Sequence, residues 1–380
     1  MTQTIREIFT RDFILGFLAY FTFVVAFHIL TPTLPIYLSR LGSKETEIGI
    51  LVGIFFASSL VVRPFVGKAI LKIPERRFMI TGALLFAVTS ITYLWAPPFW
   101  PFLIVRVFQG ISLGIIHTAS FTLIANISPE AHRGQSLGYF LLAPNVALAL
   151  GPSFGIFLIN HFSFTLLFLV CSGMSLCSLL FSSQLGRHRV APLGNHFIKG
   201  GFLISWKALP SSISNFFIHI IWGALIAFFP LYAINLGVAN PGLFFTAIAM
   251  MLISGRALGG KMLDLYNRER VILFFLLAPV MSMSILYFSR NLAMFILVGA
   301  IFGIGQAFLV PSLMAYTLDR AGSPSGPAIA TLTAIQDLGV ALGPVLMGIV
   351  IRLTSYPTMF LCLVATAFIN VNYFYLLVRK

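Results

Sequence analysis

The chain has 380 residues, of which 59% are hydrophobic and only 9% charged, with a formal charge of +14 at pH 7. At a mean hydropathy of +0.99 it cannot cover a water-facing surface, since a soluble domain carries roughly a quarter charged residues; this excludes a soluble globular protein. The basic residues lie in short loops between apolar runs, the pattern of membrane topology and not of a phosphate-binding surface, which argues against a nucleic-acid binder.

Apolar runs of about 20 residues read as membrane-spanning helices. Twelve follow in turn, predicted at 13–38, 47–69, 78–97, 100–127, 135–160 and 162–184, then at 208–235, 240–262, 270–289, 292–318, 327–351 and 356–378. The leading MTQTIREIFTRDF is too polar, and the run after it too long, for a cleaved signal; the first run is expected to stay as a span. WAPPFWP and NHF are joints so short that spans 3–4 and 5–6 form hairpins. The longest interruption, Gln184 to Pro210, is basic and contains Gly and Pro. The fold class expected is therefore an all-α integral membrane protein with twelve transmembrane helices. An N-terminal six-helix bundle (1–184) and a C-terminal one (208–380) are joined by a cytoplasmic linker (185–207).

With the N-terminus inside, 17 Lys and Arg fall in cytoplasmic segments and 4 in outer loops. That bias predicts both termini in the cytoplasm. Three cysteines, Cys171, Cys177 and Cys362, sit inside apolar runs without metal-ligand or disulfide spacing and read as small hydrophobes. No metal site and no cofactor are expected. A phosphate-cradling Gly loop, a metalloprotease His-Glu pair and a Gly-x-Ser-x-Gly elbow are all absent, so the sequence does not read as an enzyme.

The two halves repeat. LPIYLSRLG (Leu34–Gly42) matches FPLYAINLG (Phe229–Gly237) at an offset of 195, RPFVGK (Arg63–Lys68) matches RALGGK (Arg256–Lys261) at 193, and Gly151-Pro152 matches Gly343-Pro344 at 192. Two halves of like topology imply a parallel repeat about an axis along the membrane normal; transporters of that kind hold cargo near the midplane and alternate access by rocking.

Asp337 stands out. It is the only charged residue between Gly326 and Ile351, and about 15 Å along a helix starting at Pro327 places it near the bilayer centre. Its helical stripe runs through Ala334, Ala341, Pro344 and Gly348, small residues that mark helix contacts or a lined cavity. An acid there costs at least about 2.5 kcal/mol and is a candidate proton carrier; a structural acid paired with a base or hydroxyl is the other reading. Asn145 holds the matching place in the first half. In span 4, Arg106, Gln109 and His117 share one helical sector and are candidates for substrate binding or coupling, with a purely structural arginine as the alternative. His28 and His219, in the spans that open each half, are candidate proton relays or neutral core histidines.

These residues resemble the major facilitator superfamily, and within it the twelve-span drug:proton antiporter branch. The family's loop between spans 2 and 3 has Gly, Asp-Arg, Gly and basic residues. GGKMLDLYNRER in the second half places Gly260, Asp264, Arg268 and Arg270 to match. The first-half copy, GKAILKIPERR, keeps Gly67, Lys72, Arg76 and Arg77, but has Leu71 and Pro74 where the family has Asp and Gly. RVFQG is similar to the span 4 motif at Arg106, Gln109 and Gly110. GPSFG resembles the antiporter motif at Gly151, Pro152 and Gly155, with Gly343 and Pro344 its second copy. The resemblance implies a gating loop (Gly67, Arg76, Arg77, Gly260, Asp264, Arg268), helix bends at the Gly-Pro pairs, and a monomer in a prokaryotic inner membrane. Its implied partners are a small-molecule substrate, protons and the bilayer. The implied function is proton-coupled export of a small amphipathic molecule by alternating access. Uptake, or lipid or metallophore transport, on the same fold stays open, and a non-transporting membrane sensor is the reading from another class.

Overall fold

The computed structural model describes residues 7–97, 99–129, 132–186, 205–265, 267–321 and 325–378, without the side chains of 258–265 and 325–326. Most of the predicted linker lies outside the described residues. Twelve long helices follow: α1 (Arg11–Arg40), α2 (Glu45–Ile70), α3 (Glu75–Thr92), α4 (Trp100–Ile127), α5 (Arg133–His161, jointed at Leu141) and α6 (Phe164–Ser183), then α7 (Leu209–Asn235), α8 (Gly242–Leu265), α9 (Arg268–Phe288), α10 (Leu292–Ala321), α11 (Ser325–Leu353) and α12 (Tyr356–Tyr373). Ten of the described helices are long and apolar enough to cross a membrane, and Gly242–Ala257 is a shorter apolar one. The chain is a multi-pass membrane protein. The third helix is shorter than the predicted 78–97 because the chain turns at Tyr93–Trp95, ahead of prolines that bias it away from helix.

Helix ends follow local rules. Ser163 opens α6, accepting from the amide of Leu166 at 3.2 Å, and Asn267 opens α9 by accepting from Glu269, each satisfying an N–H with no partner inside its helix. The offset-195 repeat is visible as two copies of one helix terminator. Gly42 and Gly237 both take positive φ, 83° and 79°. The amide of Ser43 returns to the Leu38 carbonyl and that of Val238 to the Ala233 carbonyl, each at 3.0 Å. This is the six-to-one closure of a Schellman motif, whose left-handed position favours glycine.

By contacts the chain groups into two compact units, Met1–Thr33 with Ala57–His196, and Leu34–Phe56 with Phe197–Lys380. Inside the first, α3 packs on α4 and α6; inside the second, the equivalents α9 on α10 and on α12 recur. The end of α1 and the start of α2 therefore group with the second unit. There Gly53 lies so close to α11 that a Cβ would meet the Ala341 carbonyl oxygen at 2.5 Å, and a Cβ on Gly348 would meet that of Glu45 at 2.6 Å. The core of the second unit holds Phe275 stacked on Phe308 at 4.4 Å, with Leu276, Leu309, Leu313 and Phe374 around them. Helix α7 is buried along most of its length, as expected of a helix that is apolar all round.

The Gly-Pro pairs lie inside continuous helices, and their glycines make close helix crossings. A Cβ on Gly151 would sit 2.7 Å from the His28 Cβ, and one on Gly155 would sit 2.7 Å from the Ile29 carbonyl oxygen. In the second unit a Cβ on Gly339 would reach the Phe216 carbonyl oxygen at 2.6 Å, and Gly343 abuts Ile220. The α1–α5 and α7–α11 crossings are thus the same contact written twice. Overpacking such a site costs roughly 1–3 kcal/mol. Gly151→Val is expected to lower the thermal unfolding midpoint of the detergent-purified protein by several degrees. Gly67→Ala, inside a helix where a Cβ meets nothing within 4 Å, is expected to leave it unchanged or slightly raised. Equal midpoints for Gly151→Val and the parent would refute the crossing's importance.

Candidate functional site

A charge in the middle of a membrane helix must point away from lipid or be neutralised. On α11 the exposed apolar residues are Leu338, Leu342, Leu346, Ile349 and Leu353. At about 100° per residue they centre roughly 140° round the helix from Asp337. Asp337 itself is half-buried, about 18 Å along α11 from Ser325. Its stripe continues through Ala341, Pro344 and Gly348, all buried, and beyond Asp337 that stripe is covered by the start of α2 at Glu45, Gly49 and Gly53. On α5 the exposed set Leu150, Phe154, Phe157 and His161 matches the last four of α11 at the offset of 192. Asn145, half-buried, therefore holds the sector in the first unit that Asp337 holds in the second.

Beside Asp337 in sequence, Gln336 accepts a hydrogen bond from the Asn215 side chain on α7 at 3.2 Å. His219, one turn further on, has its Nδ1 2.8 Å from the Asn215 carbonyl oxygen. A carbonyl only accepts, so Nδ1 carries the proton and Nε2 is left as the acceptor. His28 lies against Gly151; among the described residues its buried Nδ1 has no hydrogen-bond partner. The two histidines sit at different turns of their crossings, since His219 faces Gly339 and not Gly343.

The span 4 trio separates. Arg106 and Gln109 are buried and bound to each other, with the Arg106 Nη1 2.8 Å from the Gln109 Oε1. The same oxygen accepts from the Tyr93 hydroxyl at 2.5 Å, and the Tyr93 ring stacks on Phe102 and leans on Phe168. This is a polar clamp joining α3 to α4 within aromatic packing. His117 lies about 16 Å further along α4, stacked on Phe121 at 4.6 Å and edge-on to Tyr20 at 6.0 Å. The sector was legible from spacing, but the distance along the axis divides it into two sites. Tyr93 was not foreseen, because its helix was expected to run on past it.

With this geometry in place, comparison with known proteins is decisive for the family. The Major Facilitator Superfamily model matches residues 16–252 and 211–380. The chain belongs to the Major Facilitator Superfamily. It is similar to the staphylopine export protein of Staphylococcus aureus (strain Mu50 / ATCC 700699), 24% identical over 354 residues, 88% of this chain and 87% of that one. It is also similar to the quinolone resistance protein NorA of Staphylococcus aureus (strain COL), 24% identical over 348 residues, 87% and 88%. Among solved structures it resembles the nucleoside transporter NupG, with a TM-score of 0.80 at 14% identity, over 96% of this chain and 99% of that one. A bacterial homologue of the human lysosomal transporter Spinster, inward-facing and unoccupied, gives 0.77 at 14%, over 96% of each chain. As a superfamily member the chain is a transporter and not an enzyme, and it resembles the drug:proton antiporter branch.

The superfamily's gating loop is partly visible. In the first copy Gly67 and Arg77 are exposed, and Arg76 donates to the Ser183 carbonyl at the end of α6. Glu75, not foreseen, is buried and accepts from Asn126 at the end of α4 at 2.6 Å. In the second copy the side chains at Gly260 and Asp264 lie outside the described residues. Arg268 pairs with Asp319, and Glu269, Glu75's counterpart at an offset of 194, faces Arg320 at 3.6 Å. Arg320 lies over the Tyr316 ring, whose hydroxyl donates to the Val378 carbonyl at 2.8 Å. Each copy thus ties its third helix to its fourth through a glutamate. The signal was a Glu at the start of each of these helices.

In the clamp, a buried guanidinium stays charged and needs acceptors. Removing an acceptor of a charged hydrogen bond costs about 1.5–3 kcal/mol. Gln109→Leu is expected to lose that much in chemical or thermal unfolding, and Gln109→Glu to lose less. A Leu variant as stable as the parent would show that Gln109 does not hold Arg106.

Proposed function

We propose that this transporter exports a small amphipathic organic molecule across a bacterial inner membrane, both termini cytoplasmic, by alternating access coupled to inward proton movement, and that it works as a monomer. One of its relatives is named for staphylopine export and the other for quinolone resistance, which supports outward movement of small organic cargo. The observation that carries the coupling is Asp337. Among the described helices the other acids, such as Asp12, Glu45, Glu75, Glu269 and Asp319, lie within about a turn of a helix end, whereas Asp337 sits mid-helix on the side away from lipid. A carboxyl group there can be protonated from one side and deprotonated to the other as its surroundings change. Its neutral form removes the cost of a charge at that depth, at least about 2.5 kcal/mol.

The test has two stages. Metabolite comparison of cells with and without the protein identifies a compound retained in its absence. Flux of that compound into everted vesicles is then measured with an imposed gradient, acid inside. The parent is expected to accumulate it against its own gradient. Asp337→Asn should lose at least tenfold of this pH-driven accumulation while retaining exchange down a substrate gradient. Undiminished pH-driven flux in the variant removes Asp337 as the carrier.

A further inference from the structure

On α7, Trp222 is the one residue between Ile218 and Ala233 that is not buried, and neither the helix crossings nor the coupling scheme uses it. Helix α7 exposes no large apolar residue from Leu209 to Asn235, so it has no lipid-facing side on which a half-buried indole would be ordinary. The groups around the ring agree. Trp222 lies parallel to Phe302 of α10 at 6.2 Å between centroids and edge-on to Phe245 of α8 at 6.1 Å. Phe302 stands about 120–160° round α10 from the exposed Ile296, Leu297 and Ile304. Beside these rings α8 and α10 close on each other: a Cβ on Gly299 would meet the Phe244 carbonyl oxygen at 2.7 Å, and one on Gly303 that of Ile248 at 2.6 Å. The uncovered part of the indole therefore opens away from acyl chains, where a cargo can reach it.

Two polar atoms on this sector are unengaged. Among the described residues the indole N–H has no hydrogen-bond partner, and packing does not seal it. His219 lies three residues earlier, about 60° away in sector and about 4.5 Å away in level. Its Nδ1 is taken by the Asn215 carbonyl, and its Nε2 has neither a partner among the described residues nor full cover. With 8% of its surface exposed, His219 presents little more than that edge. One helix thus offers a donor and an acceptor side by side. A further unmet donor stands at the same level. Thr317 of α10 bonds Ser211 of α7 and Phe302 stacks on Trp222, so the two helices run antiparallel. Gln306, one turn from Phe302 on the same face, comes level with His219, and its buried Nε2 has no partner among the described residues. Leaving such a group unpaired costs about 1–3 kcal/mol, and a ligand oxygen is one way to supply the missing acceptor.

We infer that Trp222 and His219 form the subsite for an uncharged amide edge of the cargo, a carbonyl oxygen beside an N–H on an apolar body, as in a ring lactam. The indole N–H donates to the carbonyl oxygen, and the amide N–H donates to the His219 Nε2. The rest of the accessible indole surface packs on the apolar body, with Phe302 and Phe245 holding the indole from behind. Cargo that lacks the N–H leaves the His219 acceptor unmet and binds less well. This deepens the export reading by naming a chemical class of cargo, and it rests on the chain being a transporter.

The test is equilibrium binding to the detergent-purified full chain with no proton gradient, so its failure would leave pH-driven export in vesicles to stand or fall by itself. The probes are phenanthridin-6(5H)-one and isoquinolin-1(2H)-one, each beside its N-methyl derivative. At least one lactam is expected to bind saturably and at least fivefold more tightly than its N-methyl form. His219→Phe should remove that preference while leaving the affinity of the N-methyl form within twofold. Trp222→Phe, which keeps a ring but loses the N–H, should weaken the lactam at least fivefold. With Trp95, Trp100 and Trp206 replaced by Phe, the emission of Trp222 should change saturably with the same affinity. If His219→Phe does not fold, the lactam preference in the parent and the Trp222 emission decide. The inference is overturned if no lactam binds, if lactam and N-methyl form bind alike, if the preference survives His219→Phe, or if Trp222 neither alters binding nor reports it.

Discussion

Where α5 meets α1, and again where α11 meets α7, glycine leaves no side chain between the two backbones. Lipid tails are as apolar as leucine, so helices in a bilayer are held by close packing and polar contacts, with little hydrophobic drive between them. A crossing at this distance is the geometry that small residues permit. It also fixes rotation. With Gly151 and Gly155 pinned to α1, and Gly339 and Gly343 to α7, the exposed faces of α5 and α11 fall at equivalent positions, and Asn145 and Asp337 are turned from lipid together. A helix free to rotate by a third of a turn would bring the carboxyl group toward acyl chains. The placement of the acid is thus a consequence of glycines two to six residues away from it.

The other polar groups within the spans fall into two kinds, and packing separates them. Arg106 is enclosed: Gln109 accepts from it and Tyr93 shares the same acceptor, with Phe102 and Phe168 against the tyrosine ring. Such a group is held in one arrangement, and its work is to fasten α3 to α4. Arg63, His117 and Asp337 are instead half-buried, on sides that do not face lipid. Sequence spacing placed Arg106 and His117 in one sector. Only the neighbours show that the first sits in a polar clamp and the second among aromatic rings.

Much of this was legible in the chain itself. Apolar run lengths gave the helices, the offsets of 192 to 195 gave the repeat, and the isolated Asp337 was visible as a lone acid in an apolar stretch. The paired Gly42 and Gly237 terminators were implicit in the matched LG endings. What could not be read were partners supplied by other helices. Glu75 looks like an ordinary first-turn acid until Asn126 is seen on it, and Tyr93 looked like part of a span. Grouping of Leu34–Phe56 with the second half was equally invisible, because it depends on Gly49 and Gly53 meeting α11, a contact between residues nearly 300 apart.

The repeat keeps its frame and changes its chemistry, and the energetics of a membrane interior explain why that division is economical. Helix pairings, glycine crossings, terminators and lipid-facing positions recur in both halves, since each is cheap to maintain twice. Charges are not. A second carboxylate at Asn145 would add another few kcal/mol of insertion cost. The amide there keeps a polar group on the same sector without an ionisable proton.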